Sequence, residues 1–446
     1  MFRLYSLLYS LAFIAMLPVF LLNREKYLQG LSERFGRLPE FRKDERPVIW
    51  VHCVSVGEAN AARPLIKSLR EEYPGYRIVI STVTKTGQDL CRKLYSEDAE
   101  LIFYFPFDWK FSVSRALRAI RPNLVLVLET EIWFNFFRES RKRGITLAIV
   151  NGRVSDKSAR RYSRIPKTIG RVLHYPNLVL AQSERDAERF HELGVKSRKI
   201  VVTGNLKFDQ DPASGDKKKT AYFRERFSVD GASPVIVAAS THSPEEKWLL
   251  QALGELRGTE DGARTRLFIA PRHPERFDEV AETIEESGFS FARRTEALDL
   301  SDGEVPVVLL DSIGELRSAY PLADVVFTGG SLIPHGGQNV LEPAMEAKAV
   351  VTGPYMMNFR AIAEEFERER AFVQLDQLPD EEIPGALARA FQELIADREE
   401  RDEIGRRALA IVQKNRGAAE RTLEALRPSL EVNRKRTPET SEAPSK

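Results

Sequence analysis

The chain has 446 residues, 43% of them hydrophobic and 30% charged, which excludes a chain too polar to build a core and allows about two to four domains. A formal net charge of +2 gives no preference for polyanions, so nucleic acid is not an expected partner. Two cysteines, Cys53 and Cys91, with no CxxC and no Cys/His cluster, fit a reducing compartment and leave no structural zinc site.

The chain opens on Leu4–Leu22, 19 residues without a charge. A bilayer is crossed by ~17–25 apolar residues. No small-residue cleavage site follows, so the segment reads as an uncleaved anchor rather than a signal peptide. Seven Lys/Arg lie between Arg24 and Arg46 against only Arg3 before the span, which predicts a body on the cytoplasmic side of the inner membrane. Pro18 and two tyrosines leave open whether the segment spans or lies in one leaflet. Residues 1–46 are therefore expected to be a membrane anchor with a basic juxtamembrane segment.

From Pro47 apolar runs alternate with amphipathic stretches: VIWVHCVS, RIVIST, LIFYF, NLVLVLET, TLAIVNG, LVLAQS and IVVTGN. Near-continuous apolar strands alternating with helices signal a parallel sheet covered on both faces. The pattern stops near Asp209, in a polar stretch read as a linker, and restarts with PVIVAAS, RLFIAPR, PVVLLDS, DVVFTGGS and AVVTGP. The expected organisation is an α/β chain of two doubly wound, Rossmann-like domains facing a cleft. One domain covers 47–208 and the other 233–428, with a linker at 209–232 and a disordered tail at 429–446.

Ligands of such sheets bind beyond the carboxyl ends of the strands. Glu58, in SVGE after the first strand, falls in the first turn of a helix. It either caps that helix or serves as a base, and the helix dipole favours its ionised form. Glu129 and Glu131 follow the strand NLVLVL, and alternation would point the pair to one side without choosing between them. Lys207, in GNLKFD at the domain junction, can neutralise a phosphate as a point charge.

The second half carries the stronger signal. In GGSLIPHGGQNVLEPAMEAKA a Gly-rich loop leads to Asn339 opening a helix, a pattern that builds an anion site, and Glu342 in its first turn can accept ribose hydroxyls. Three further loops join it: Thr241 and His242 before a helix start at Pro244, Arg272 and His273, and Ile313, Gly314 and Glu315. Together they suggest a nucleotide site on the C-terminal domain. The six histidines are scattered without HExxH, and the Asp209–Asp211 DQD lies in the linker, so no metal site is expected. Arg160, Arg164, Lys167 and Arg171 recur at i+4, i+3 and i+4, which puts them on one helix face if Pro166 does not kink it. That face is either simply solvated or meets anionic lipid.

The motifs SVGEANAA, YFPFDW, LVLETEIWFN, NGRVSDKSARRY, GNLKFD, STHSPEE, APRHPERF and GGSLIPHGGQNVLEPA resemble, in order, those of the 3-deoxy-D-manno-octulosonic acid (Kdo) transferases, over almost the whole chain to about residue 425. The resemblance implies a GT-B fold and an inverting, metal-independent glycosyltransferase without a cofactor. It implies transfer of Kdo from CMP-Kdo to the lipid A precursor, lipid IVA, in lipopolysaccharide synthesis. It puts the catalytic base on Glu58 and the transition-state stabilisers on Glu129 and Lys207. CMP contacts fall on Pro271 and Arg272, on Ile313, Gly314 and Glu315, and on Asn339, Val340, Leu341 and Glu342. No obligate protein partner is implied. Two other readings remain: a GT-B transferase using another nucleotide sugar with a lipid-linked acceptor, and a membrane-tethered nucleotide-sugar sensor.

Overall fold

The computed structural model describes residues 1–22, 29–41, 44–209 and 216–434. The chain divides into two compact units, Met1–Asp211 with Asn415–Lys446, and Pro212–Lys414. The return of the chain to the first unit was not expected: the second domain was read as running to 428.

The first unit is built on seven parallel strands: β1 (Val48–His52), β2 (Arg77–Thr82), β3 (Leu101–Tyr104), β4 (Leu124–Leu128), β5 (Thr146–Gly152), β6 (Leu178–Ala181) and β7 (Ile200–Val202). Their order is β3-β2-β1-β4-β5-β6-β7. Each strand feeds two cores because alternate residues point to opposite faces. Ile49 and Val51 join Ala59, Ala62, Leu65 and Leu69 of the helix Val56–Glu72. Trp50, one residue between, packs with Phe103 and Phe136 on the other face. The order reverses between β1 and β4, which makes their carboxyl ends the crevice of this sheet.

The N-terminal helix, Phe2–Leu22, is long and apolar enough to cross a membrane. It also docks on the first unit. Tyr5 stacks on Phe134 at 4.4 Å, and Tyr9 and Phe13 meet Trp109 edge-on at 5.4 and 5.0 Å. Ser10 accepts the Trp109 indole N–H at 2.9 Å, and Ser6 accepts the Asn135 amide at 3.1 Å. These residues share one helix face by their i, i+4 spacing. Leu4, Leu7, Leu8, Leu11 and Ile14, on the other side, are exposed. The following segment is also internal: Arg34 is buried and donates to the carbonyls of Gln29 (3.0 Å) and Val83 (2.6 Å). One of the basic residues assigned to a juxtamembrane segment is thus structural, while Arg24, Lys26, Arg42 and Lys43 lie outside the described residues.

Three further expectations need correction. The basic set Arg160, Arg164, Lys167 and Arg171 does not share a helix: one helix ends at Tyr162 and the next starts at Pro166. Proline forces the residue before it out of the helical region, and Ile165 sits at φ −133° and ψ 52°. The linker is shorter than 209–232, because Lys217–Arg226 forms a helix whose Phe223 is core in the second unit. The tail does not lose structure at 429, since the C-terminal helix runs from Ala418 to Arg434. Its apolar positions Ala419, Leu423, Leu426 and Leu430 recur at helical spacing and are buried in the first unit. Residues 435–446 of the expected tail lie outside the described residues.

The second unit repeats the plan with β8 (Val235–Thr241), β9 (Arg266–Pro271), β10 (Phe291–Arg293), β11 (Val307–Leu309), β12 (Val325–Thr328), β13 (Ala349–Thr352) and β14 (Val373–Gln374). All pair in parallel in the order β10-β11-β9-β8-β12-β13-β14. The edge strands β10 and β14 escaped the sequence reading because three and two residues carry no periodicity. Here the crevice falls between β8 and β12.

Candidate active site

In the first unit, β1 ends at His52 and the helix Val56–Glu72 begins with Ser55 as its N-cap. Ser55 accepts the Glu58 N–H at 3.4 Å, and its hydroxyl donates to Glu58 Oε1 at 3.1 Å. Glu58 Oε2 accepts the Val54 N–H at 2.7 Å. The carboxylate therefore does cap the helix, yet that does not keep it acidic. Burial pushes Glu58 up to about 8, helped by the negative charges of Glu129 and Glu131 and opposed by the Val54 N–H. The dipole argument had pointed the other way. Desolvation of a group 7% exposed outweighs the helix end here.

β4 stops at Leu128, so strand alternation does not carry through to Glu129 and Glu131. Glu129 takes a left-handed backbone, φ 54°, while its N–H still bonds the Val150 carbonyl at 2.9 Å. A non-glycine residue in this region is held there by its surroundings and is found most often at functional sites. Burial and the Glu129 charge push Glu131 up to about 7, against the pull of Arg161.

Lys207 sits in a short turn, Leu206–Asp209, after β7. Burial lowers its ammonium; Glu129 and Glu58 oppose that, and Arg153 adds to it. Glu58, Glu129 and Lys207 are thus in electrostatic reach of each other, and Glu131 is in reach of the two glutamates, although they lie on three different loops. Arg153 and Arg161 complete the set of charges. Sequence reasoning quoted them only inside the NGRVSDKSARRY motif and gave them no role. Thr130 is the link: it accepts the Arg153 N–H at 3.1 Å and donates to the Arg153 carbonyl, tying the loop after β4 to the loop after β5. Arg160, Arg164, Lys167 and Arg171 are all exposed, on the two short helices that follow and, for Arg164, between them.

In the second unit, the Gly-rich loop after β12 is not an open anion cradle. Glu245, fully buried at the start of the helix Glu245–Arg257, already fills it. Its carboxylate accepts N–H bonds from His242 (3.0 Å), Gly330 (2.7 Å), Ser331 (3.1 Å) and Leu332 (3.0 Å). Burial still raises Glu245 to about 7, with the Gly330, Leu332 and His242 N–H groups pulling the other way. Gly329 is required by the close approach of β8: a Cβ there would lie 2.4 Å from the Ser240 carbonyl oxygen.

The expected nucleotide contacts occupy the remaining strand ends. Pro271 closes β9, and the Arg272 N–H bonds the Thr241 carbonyl at 3.0 Å, leaving its side chain exposed. Ile313 is 71% exposed and Gly314 has φ 81°, after β11. Glu315 is occupied by Ser312 (2.6 Å), Lys219 (3.0 Å) and Arg294 (3.0 Å), which hold it below the usual carboxylate range despite burial. Asn339 accepts the Leu341 N–H at 3.0 Å and opens a helix, Leu341–Met345, of only five residues. That is too short for the dipole site the loop suggested. The side chains of Val340 and Leu341 are buried, which leaves only their backbone for a ligand. Glu342 receives Arg317 at 2.8 Å, joining the β11 and β12 loops.

One cluster was read only in part: His242 and His273 were placed in loops of the nucleotide site, but not as neighbours of His335. His242 lies 4.5 Å from His335 and 5.4 Å from His273 between ring centroids, and its Nε2 meets the Gln338 amide at 3.1 Å. Burial, then the neighbouring histidines, Arg276 and Arg272, lower His242 to about 4 and keep it neutral. These histidines looked scattered because they follow β8, β9 and β12, which only the sheet order makes neighbours. Among the described residues no group of three or more His, Cys, Asp or Glu is arranged to hold a metal ion.

Comparison with known proteins now fits onto this geometry. Residues 29–210 match the family model described as 3-deoxy-D-manno-octulosonic-acid transferase (kdotransferase). The 3-deoxy-D-manno-octulosonic acid transferase of Haemophilus influenzae is 33% identical over 423 residues, covering 95% of this chain and 96% of the relative. That of Bordetella pertussis is 31% identical over 385 residues, covering 85% and 86%. Among solved structures, a glycosyltransferase from Rickettsia africae superposes with a TM-score of 0.56 at 15% identity, covering 87% of this chain and 98% of that one. A likeness at that identity bears on the fold alone, and the fold is GT-B.

Proposed function

The chain belongs to the 3-deoxy-D-manno-octulosonic acid transferase family and is a glycosyltransferase, and from that premise we propose how its residues divide the work. The donor is CMP-Kdo and the acceptor is the lipid A precursor, lipid IVA. Transfer is inverting and needs neither a metal nor a cofactor.

Glu58 is the base. A carboxylate raised to about 8 holds a proton more firmly than an ordinary one and still ionises near neutral pH, which suits removal of an alcohol proton in the transition state. This is the observation that carries the reading. The acceptor oxygen attacks the anomeric carbon as its proton passes to Glu58, and the bond from that carbon to the CMP phosphate oxygen breaks on the opposite face. Glu129 stabilises the positive charge that develops on the sugar. Lys207 meets the negative charge of the leaving phosphate, a task for cations aimed before the reaction starts. In the second unit, Arg272 is a further cation for that phosphate. Glu342 and the backbone of Ile313, Gly314, Val340 and Leu341 hold the cytidine, with Pro271, Glu315 and Asn339 shaping their loops.

The N-terminal helix attaches the enzyme to the cytoplasmic face of the inner membrane. Docking of its aromatic face supports insertion into one leaflet rather than a crossing, with Leu4, Leu7, Leu8, Leu11 and Ile14 in the acyl region. The exposed Arg160, Arg164, Lys167 and Arg171 meet anionic headgroups or the acceptor's phosphates.

Purified enzyme with CMP-Kdo and lipid IVA should give products heavier by whole Kdo units in mass spectrometry. CMP should raise the melting temperature and UDP should not. Equal stabilisation by UDP, with no Kdo product, would reject this donor.

A further inference from the structure

The turn that carries Lys207 is fastened to the last helix of the chain. Asp209, at its far end, accepts N–H bonds from Gly417 (Oδ1, 2.7 Å) and Ala419 (Oδ2, 2.5 Å), where the helix Ala418–Arg434 begins. Before the turn, Arg421 of the same helix donates to the Thr203 carbonyl at 2.9 Å. The backbone passes so close that a Cβ at Gly204 would lie 2.7 Å from Arg421 Nη2, and Gly204 has φ 91°. Between these ties, Leu206 is fully buried with Ala418, Ala419 and Leu423, and its N–H bonds Asn151 Oδ1 at 3.0 Å. The same helix packs on Val56–Glu72, which carries Glu58, and Tyr76 just beyond that helix donates to the Leu430 carbonyl.

We propose that Asp209 is a positioning residue for Lys207, fixing the lysine's turn against the N-terminal end of the C-terminal helix. The inference rests on the role given to Lys207 above. A carboxylate that receives one N–H on each oxygen fixes both the place and the rotation of its own backbone. Two residues upstream, that rotation decides where the ammonium stands. The partner N–H groups come from a segment 208 residues further along, so the first unit is completed only when the chain returns from the second. The sequence reading left Asp209 in a polar linker stretch without a role, and such a residue has no bearing on rate.

The test is a double-mutant cycle in the full-length enzyme with Lys207→Met, Asp209→Ala and both together, read as kcat and as KM for donor and acceptor. Asp209→Ala should lower kcat roughly 10- to 100-fold, the scale on which small displacements of a catalytic group act, with KM nearly unchanged. In the Lys207→Met background the same change should alter kcat less than about twofold, because a residue acting through another has nothing left to act on. Asp209→Asn keeps one acceptor oxygen and should recover part of the rate. It replaces alanine in the cycle if Asp209→Ala does not fold. A kcat loss from Asp209→Ala that is as large without Lys207 as with it overturns the proposal. So does a kcat for Asp209→Ala within twofold of the parent. A Lys207→Met enzyme at parental rate would instead reject the role of Lys207 itself, and the proposal with it.

Discussion

The two units place a glutamate at the same point of the same plan, and the two carboxylates are held in different ways. Glu58 and Glu245 each lie in the first turn of the helix after the central strand at the sheet's reversal point. Both are buried. Glu245 receives four backbone N–H groups and so ties the loops after β8 and β12 together, although burial raises it to about 7. Glu58 receives one backbone N–H and one hydroxyl, with two other carboxylates nearby. The contrast teaches that the same position at a crevice, and a similar upward shift from burial, can leave two carboxylates with different freedom. What separates them is how many backbone donors already occupy their oxygens.

The sharpest way to break the comparison is to remove each charge in turn. Glu58→Gln should lower kcat roughly 10²- to 10⁴-fold, the range of a general base, while CMP still raises the melting temperature by its parental amount. Parental turnover in that variant would remove Glu58 from the mechanism. Glu245→Ala should instead act on folding. Orphaned buried N–H groups cost ~1–3 kcal/mol each, so urea unfolding should register a loss of at least about 3 kcal/mol. A stable Glu245→Ala enzyme would mean that water replaces the carboxylate without penalty.

Acidity gives a further test of Glu58. With Glu58 raised to about 8, kcat/KM should climb as pH increases through that value, and the climb should vanish in the residual activity of Glu58→Gln. The sign for stability is the reverse. A carboxyl raised above its unfolded value contributes stability that is full below about 4.5 and lost as pH rises through about 8. Glu58→Gln should therefore match or trail the parent in melting temperature at pH 4 and exceed it at pH 9. The smallest effect belongs to the nucleotide side: Glu342→Gln, which loosens its pairing with Arg317, should weaken CMP binding by less than about tenfold in calorimetry and leave kcat unchanged.

Much of the site was legible one loop at a time. Seven apolar runs of the first half became β1 to β7, and the loops after them held Glu58, Glu129 and Lys207. The missing pieces share a cause. Arg153 enters through the bonds of its backbone to the Thr130 hydroxyl, and His335 joins His242 and His273 through the adjacency of strands distant in sequence. The phosphate cradle was misread because its occupant, Glu245, lies more than 80 residues before the glycines it serves.

By itself the sequence determined where strands and helices form, since the spacing of apolar residues is a local property. It likewise put polar and glycine residues at the strand ends, where the backbone must turn. Only tertiary structure decided which loops became neighbours, that the last helix returns to the first unit, and that one glutamate has a single backbone donor while its counterpart's oxygens are taken by four. Those outcomes depend on burial and on partners far along the chain, and neither is written in the residues adjacent to the charge.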